Sequence, residues 1–321
     1  MTHASPRLLR RSLLILPALC ALPFATRVMG QSADTATTGR PLVLGTSTPG
    51  GGFSLYGQTL ERVLNTRAGR PVLQAVMTRG TTENLTRLRS GELDAALIQG
   101  TSASEVLDQG PASGLRILFA MYPSPGMLAV PASSPARQLQ DLAGQPVVFG
   151  VRTSGLVTLA RQVFSGIGLD IDKDFQAIYV EQAAQSPGLV QSGQARGLWG
   201  AGEGWPGFEK LAEGPGGARF IGPSPAQTAD VLKKYPLLKA LDVPVGTYPG
   251  MTQPLPTVGS VNLILTHDKL PDARALAFVT AMEAAAADLA AALPQAAFST
   301  RANTLASTPS PALLHPVLRR V

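Results

Sequence analysis

The sequence is poor in the residues that supply covalent and metal chemistry. Its 321 residues contain one cysteine, Cys20, which lies within the first 30 residues. The remainder of the chain therefore has no disulfide, no cysteine nucleophile and no thiolate metal ligand. A chain without disulfides relies on its apolar core for stability, and this chain is long enough to bury a large one.

Histidine is almost as scarce, because only His3, His267 and His315 occur. The last two fall in a turn and near the C-terminus, without the spacing of metal ligands. No histidine accompanies Ser154 as a general base, and no Gly-x-Ser-x-Gly motif is present. These absences favour binding without chemistry. We therefore expect no enzyme activity, no metal site and no cofactor.

Charge is also sparse, at 15% of residues, and no basic patch is interleaved with aromatic residues. The formal net charge is +6. Four of the arginines (Arg7, Arg10, Arg11, Arg27) lie in the first 30 residues, however, and the rest of the chain has 23 basic and 21 acidic residues. The sequence thus gives no support for a nucleic-acid partner.

The N-terminal segment, residues 1–33, is typical of a secretory signal peptide. A basic start precedes the apolar run Leu13–Leu22, which is too short to cross a bilayer as a helix. Small residues near position 30 predict cleavage close to Gln31. The pair Arg10-Arg11 also suits the twin-arginine export route, and Cys20 leaves lipid attachment open. The alternative for the whole segment is a structured N-terminal helix.

The stretch Gly45–Gly57 is the most informative part of the chain. It follows the apolar run Pro41–Leu44, which predicts a buried strand, and precedes helical spacing in Leu60–Leu64. Glycines let a ligand approach main-chain N–H groups, and the following helix directs its positive N-terminus there. The pattern indicates an anion-binding turn, or a loop that only reverses the chain. Neither a P-loop nor G-x-G-x-x-G is present.

Strands and helices alternate beyond this turn. Pro71–Val76 predicts a second strand, Thr78–Asn84 a hydroxyl-rich turn into a helix, and Leu93–Gly100 a third strand. Such alternation predicts a largely parallel sheet. In sheets of this kind ligands bind beyond the carboxyl ends of the strands, so the polar turns are candidate ligand contacts.

A second α/β unit repeats the arrangement. Leu115–Tyr122 predicts a strand that breaks at Pro123–Gly126 and resumes as Met127–Val130, which suits a crossing between two lobes. Pro146–Gly150 then leads into the turn Val151–Gly155 and a helix. Two such turns facing each other would form a cleft.

The remaining segments are less distinctive. Trp199, Glu203 and Trp205 lie among glycines. They predict either a pocket wall that carries a carboxylate, or core packing followed by a flexible loop. Further along, the sequence predicts a short helix, a long strand and an Ala-rich helix, at Leu232–Leu238, Thr257–Thr266 and Pro271–Leu293.

Six motifs, in this order, resemble the TAXI-type solute receptors of TRAP transporters over essentially the whole mature chain: Gly45–Gly57, Thr78–Leu85, Gly91–Asp94, Lys234–Pro236, Val245–Gly250 with Pro256–Val258, and Leu314–Pro316. The resemblance implies an α/β, two-lobed periplasmic-binding-protein type II fold with a ligand cleft between the lobes. It places residues 34–123 and 249–321 in lobe 1 and residues 124–248 in lobe 2.

The resemblance also implies a function. Such receptors are periplasmic and capture a small organic anion by lobe closure, typically an acidic amino acid, a dicarboxylate or a related carboxylate. They deliver it to the membrane subunits of a sodium-coupled TRAP permease. The alternative is a ligand-sensing receptor of the same fold that signals to a membrane partner such as a sensor kinase.

Residues that match the family's ligand loops are Thr46, Ser47, Thr81, Asn84, Gln99, Thr153, Ser154 and Gly155. The chain departs from the family pattern at Phe53, Ser54, Leu55, Arg79, Leu156, Glu203 and Trp205. The hypothesis is that Arg79 or Arg152 makes a bidentate contact to a carboxylate, the alternative being that both are rim charges. Backbone groups around Gly51 and Gly52 would complete the contact. The other expected ligand-binding side chains are Ser54, Tyr56, Glu203 and Trp205, with Phe53, Leu156 and Trp199 around the apolar part of the ligand.

Overall fold

The computed structural model describes residues 39–319. The predicted signal peptide, its cleavage site and Cys20 lie outside the described residues. Ten strands are present in these residues: β1 Leu42–Gly45, β2 Leu73–Val76, β3 Ala95–Ile98, β4 Leu115–Pro131, β5 Pro146–Gly150, β6 Gln176–Tyr179, β7 Gly197–Ala201, β8 Ala218–Ile221, β9 Lys239–Val243 and β10 Leu255–His267.

The helices alternate with the strands in most of the chain. They are α1 Gly52–Ala68, α2 Thr81–Arg89, α3 Gly100–Leu107, α4 Gly155–Gly166, α5 Ser186–Gln191, α6 Pro206–Ala212, α7 Pro225–Lys234, α8 Asp272–Ala284, α9 Ala286–Ala292, α10 Arg301–Ala306 and α11 Pro316–Arg319. Short 3-10 turns connect several of them, at Gly110–Ser113, Leu139–Leu142, Ala183–Gln185, Pro294–Phe298 and Pro311–Leu313.

The strands join in the order β2-β1-β3-β10-β4-β7-β5-β6, with β8 on β4 and β9 on β10. The pairs β1–β2, β1–β3, β5–β6 and β5–β7 are parallel, as the alternation of strands and helices predicts. Every pair that involves β4 or β10 is antiparallel. The prediction of a largely parallel sheet was therefore wrong for the middle of the molecule, because two long crossing strands occupy it.

The chain builds two lobes around separate apolar cores. One core contains side chains of Leu42–Tyr122 and Leu263–Leu318, and the rest of the buried apolar residues lie between Met127 and Val258. Strands β4 and β10 contribute to both cores and pair with each other along most of their length. This arrangement makes them the connection between the lobes.

Strand β4 does not break at its prolines, contrary to the prediction. It runs from Leu115 to Pro131, and Pro123 and Pro125 pair with Val261 and Gly259 of β10. The register shifts between Val261 and Leu263, next to Pro123. A strand tolerates proline, which has no N–H donor, at a bulge. The crossing segment therefore remains one continuous strand.

Two predictions in the second half were also wrong, and two strands were missed. The helix expected at Leu232–Leu238 lies earlier: α7 starts after Ser224, whose hydroxyl accepts from Gln227 N, and it stops at Lys234. Strands β8 and β9 were not predicted, because they are edge strands of four and five residues. The single Ala-rich helix is two helices, α8 and α9, bent by 63° at Ala285.

Among the described residues, no single helix has the length and apolarity needed to cross a membrane. The bent α8–α9 pair meets that criterion only when both helices are taken together.

Candidate ligand-binding cleft

Three helix N-termini meet where the two lobes face each other. In the first lobe β1 leads through the glycine-rich turn into α1, and Gly80, with φ of 102°, turns the chain into α2. In the second lobe β5 leads through Ser154 into α4. The turns are in close contact, since a Cβ placed on Gly80 would lie 3.3 Å from Ser154 Cα. The predicted opposition of glycine- and hydroxyl-bearing turns is therefore present.

A cavity of about 90 Å³ lies between these turns. This volume exceeds the minimum of about 10–15 Å³ that a single water molecule needs. Its lining combines backbone, hydroxyl and apolar groups: Ser47, Thr48, Gly51, Gly52, Phe53, Arg79, Gly80, Thr81, Gln99, Tyr122, Ser124, Gly150, Val151, Ser154, Gly155, Leu156, Leu159, Ala183, Ala201, Trp205 and Asn262. This size suits a compact small molecule.

The start of α1 offers main-chain donors to the cavity. Ser47 Oγ accepts a hydrogen bond of 3.0 Å from Ser54 N and so satisfies the third N–H of the helix. The N–H groups of Gly52 and Phe53 precede it and have no intrahelical acceptor. Because α1 has 17 residues, its macrodipole makes this end favourable for an anion.

The start of α4 is similar and faces the first from the other lobe. Ser154 is its N-cap residue, but its side chain makes no capping hydrogen bond. Within the described residues, its buried Oγ has no hydrogen-bond partner at all. The hydroxyl and the first amides of α4 are thus available to a ligand.

Gln99 supports the floor of the cavity. Its Oε1 accepts hydrogen bonds from Thr101 N at 3.0 Å and Ser102 N at 3.2 Å, which caps α3, and its Nε2 donates to Ser260 Oγ at 3.0 Å. Both ends of the amide are therefore engaged within the protein. Gln99 lines the cavity while holding the end of β3 against β10.

Several contacts bridge the lobes around the cavity. Ala184 N donates to Pro49 O at 3.0 Å and Ala183 N donates to Thr48 Oγ1 at 3.2 Å. Arg79 pairs with Glu181 at 2.9 Å. The glycine-rich turn of the first lobe and residues 181–184 of the second are thus in direct contact, which defines a closed arrangement.

The comparisons with known proteins agree with this architecture. The profile of the NMT1-like family matches residues 44–320. The chain belongs to the NMT1-like family. No curated protein matches it in a sequence comparison.

Solved structures resemble this NMT1-like chain at low sequence identity. A periplasmic transporter has a TM-score of 0.54 and 12% identity, over 80% of this chain and 87% of that one. A protein of Bordetella bronchiseptica RB50 has a TM-score of 0.53 and 15% identity, over 87% and 96%. The alkanesulfonate-binding protein SsuA of Xanthomonas axonopodis pv. citri, bound to MOPS, has a TM-score of 0.47 and 16% identity, over 83% and 82%. The predicted two-lobed periplasmic-binding-protein fold is confirmed.

The structure places many of the predicted site residues of this NMT1-like protein in the lining. These are Ser47, Gly51, Gly52, Phe53, Arg79, Thr81, Gln99, Ser154, Gly155 and Trp205. Among residues 39–319, Arg79 is the one charged residue of the lining, and its exposed guanidinium lies at the rim, paired with Glu181. Whether these residues contact a ligand stays a prediction.

Four other predicted residues of the first lobe lie behind the lining. Thr46 Oγ1 donates to Val76 O at 3.0 Å, and Asn84 Nδ2 donates to Thr46 O at 2.8 Å and to Leu97 O at 2.9 Å. Tyr56 is fully buried, with its hydroxyl 2.7 Å from Ser299 Oγ, and burial raises its pKa. Ser54 is buried within α1. In the structure these side chains pack behind the turns that line the cavity and do not line it themselves.

Four predicted residues of the second lobe lie outside the lining. Arg152 stacks on the Tyr179 ring at 3.7 Å, and Thr153 Oγ1 donates to Arg79 O at 3.4 Å. Trp199 is fully buried, and its Nε1 donates to Leu156 O at 3.1 Å. Glu203 is half-buried in the loop after β7, and burial raises its pKa.

Three lining residues on the crossing strands were not among the predicted site residues. Tyr122 and Ser124 belong to β4 and Asn262 belongs to β10. They could have been found as isolated polar groups in otherwise apolar strands, since Asn262 lies between Val261 and Leu263. Because these residues lie where β4 and β10 cross between the lobes, their place in the cavity depends on the crossing and not on any turn motif.

Proposed function

We propose that this chain is an exported solute-binding receptor that captures a small organic anion by lobe closure and delivers it to a TRAP-type membrane permease. The observation that carries the proposal is the meeting of the α1 and α4 N-termini, one from each lobe, at a small cavity. Helix N-termini bind anions through free amides and the macrodipole.

Closure follows from this geometry. An anion between the two turns would accept hydrogen bonds from both lobes at once, which only the closed arrangement allows. A ligand shifts a two-state equilibrium by its difference in affinity for the states, so capture would stabilise the closed form. A membrane partner can then recognise that form. The proposed ligand classes are carboxylates, including dicarboxylates and acidic amino acids.

The proposals of a TRAP permease as partner and of the periplasm as location are supported by the sequence. The ordered motifs resemble TAXI-type receptors, and the N-terminal segment is typical of export to the periplasm. We further propose residues 34–123 with 249–321 as lobe 1 and residues 124–248 as lobe 2, since β4 passes from one core to the other near Pro123.

A ligand screen tests binding. Residues 34–321, purified free of ligand by unfolding and refolding, would be titrated by thermal shift with dicarboxylates, 2-oxo and 2-hydroxy acids, amino acids and the matching neutral amides. A saturable rise in Tm with one class of carboxylate is the expected result, because a ligand of the native state stabilises it by mass action. Equal stabilisation by neutral amides, or none by any carboxylate, would contradict the proposal.

Delivery needs a separate test. In cells that express the chain with its neighbouring permease genes, deletion of the receptor should abolish uptake of the radiolabelled carboxylate found in the screen. Unchanged uptake, together with ligand-dependent copurification of a membrane kinase, would assign the receptor to signalling instead.

A further inference from the structure

Two side-chain donors flank the first residue of α1. A Cβ placed on Gly52 would lie 3.2 Å from Tyr122 Oη and 3.5 Å from Trp205 Cδ1, the ring carbon bonded to Nε1. Tyr122 is 4% exposed and Trp205 is 5% exposed, and both line the cavity. The phenol O–H and the N–H edge of the indole therefore lie beside Gly52, whose amide, like that of Phe53, has no intrahelical acceptor.

Neither donor is paired in the described part of the chain. Among residues 39–319, no hydrogen bond involves Tyr122 Oη or Trp205 Nε1, whereas Trp199 Nε1 donates to Leu156 O. Neither atom is among the fully buried polar atoms that lack a partner, so both are open to the cavity, where an acceptor on a ligand can reach them. Burial also raises the pKa of Tyr122, which keeps its hydroxyl protonated as a donor.

The fixed positions of both rings make these donors suited to recognition. Trp205 packs edge-on against Phe208, with centroids 4.7 Å apart, and its backbone N donates to Tyr248 Oη at 3.1 Å. Tyr122 packs against Tyr56 at 5.3 Å. Rings held in this way lose little conformational freedom when a ligand binds.

The lining also lacks a group for a ligand cation. Within the part of the chain that the structure describes, no Asp or Glu side chain lines the cavity. Glu181, at the entrance, is paired with Arg79, and Glu203 lies outside the lining. An ammonium group in this cavity would lose water without gaining a carboxylate, which is unfavourable.

We propose that Tyr122 and Trp205, with the amides of Gly52 and Phe53, form a subsite for the oxygens of a carboxylate, and that the cleft selects compact 2-oxo or 2-hydroxy carboxylates over amino acids. The unpaired hydroxyl of Ser154 also lines the cavity, from the other lobe, and would donate to the oxygen on carbon 2 of the ligand. The inference rests on the proposed function and names the ligand class of the same site.

Calorimetric titration of residues 34–321 with four probes of one carbon skeleton tests the class. The probes are 2-oxobutanoate, 2-hydroxybutanoate, 2-aminobutanoate and 2-hydroxybutanamide. We expect one of the first two to bind at least about tenfold more tightly than the amino acid, and the amide not to bind. Equal or tighter binding of 2-aminobutanoate, or binding of glutamate or succinate but of no 2-oxo or 2-hydroxy acid, would overturn the inference and leave the proposed function standing. Failure of every carboxylate in the wider screen would overturn both.

Paired variants test the two donors. Tyr122→Phe and Trp205→Phe each remove a donor and keep a ring, and each should weaken binding of the best probe about 10- to 100-fold, the usual range for a hydrogen bond to a charged group. The matched control is Tyr235→Phe, whose phenol lies outside the cavity. Wild-type affinity in both donor variants, with Tm unchanged, would overturn the assignment. So would an equal loss in the control.

Discussion

At the scale of single residues, Asp94 shows how a recognised motif can serve the fold. Its carboxylate is 5% exposed and accepts hydrogen bonds from Arg40 at 2.7 and 2.9 Å, Arg274 at 2.7 and 3.0 Å, and Val43 N at 2.9 Å. These contacts join the start of β1, the turn before β3 and helix α8. The Gly91–Asp94 motif therefore holds elements of the first lobe together.

Replacement of Asp94 should be strongly destabilising. Asp94→Asn would leave the buried guanidinium of Arg274 without its counter-charge, and loss of one partner of a buried ion pair costs about 3–5 kcal/mol. Asp288→Asn is the control, because its pair with Arg67 is exposed and contributes about 0–1 kcal/mol. Urea unfolding gives both free energies, and equal losses in the two variants would show that the buried pair contributes little.

The same carboxylate makes stability depend on pH. Burial acts to raise the pKa of Asp94, but the hydrogen bonds from Arg274, Val43 N and Arg40 outweigh it and hold the pKa below its usual value. Because the pKa of Asp94 is lower in the folded state, its ionised carboxylate adds to the free energy of unfolding. This stabilisation is complete above the unfolded-state pKa, about 3.9, and is lost as pH falls through the folded-state pKa. We expect the free energy of unfolding to fall more steeply below about pH 4 in wild type than in Asp94→Asn. Parallel curves would contradict this.

The two arginines of the carboxylate hypothesis differ in position. Arg79 is in the cavity lining, whereas Arg152 lies over Tyr179 and within 3.9 Å of Asp172, outside it. Arg79→Ala should weaken ligand binding severalfold, because the one lining cation is lost, and Arg152→Ala should change it by less than about twofold. Calorimetry with the same ligand measures both. A larger loss in Arg152→Ala would reverse the assignment.

At the scale of elements, α4 begins where the lobes are in closest contact. A Cβ on Gly155 would overlap Gln99 Cβ and lie 2.6 Å from Thr81 Oγ1, and both of these residues belong to the other lobe. Gly155→Ala should therefore hold the lobes apart and weaken ligand binding by more than tenfold. Because each lobe has its own core, we expect Tm without ligand to change little.

Small-angle X-ray scattering measures the separation as a larger radius of gyration. Gly188→Ala is the matched control, since a Cβ at this exposed position on α5 would contact no atom within 4 Å. Unaltered scattering and affinity in Gly155→Ala would show that the close approach does not control closure.

The sequence predicted local elements better than long-range ones. Strand-to-turn-to-helix patterns located the starts of α1, α2 and α4, because glycine and hydroxyl residues act within a few positions of their effect. The continuity of β4 was not predictable, since it depends on the bulge opposite Pro123 in β10. Likewise, Trp199 lies in the core and Trp205 in the cavity, a difference that only tertiary packing decides.

At the scale of the whole molecule, the closed arrangement includes a contact between the lobes that does not line the cavity. The amide of Gln162, in α4, donates to the carboxylate of Glu105, in α3, at 2.9 Å, and this hydrogen bond is partly buried. Glu105→Ala should favour the open form and lower ligand affinity by up to about tenfold, in line with a net hydrogen-bond contribution of about 0.5–1.5 kcal/mol. Calorimetry measures the affinity, and a loss above about fiftyfold would indicate a direct role in binding.

The interrupted layout of the first lobe sets an order for biosynthesis. Its core needs β10, α8 and the C-terminal segment, where His315 N donates to Ile117 O at 2.9 Å, whereas the second core is built from one continuous stretch. During synthesis from the N-terminus, we expect residues 42–122 to lack these partners when the second lobe already has all of its core. Exposed apolar strands make such a species prone to aggregation, so we expect a chaperone to raise the yield of folded protein.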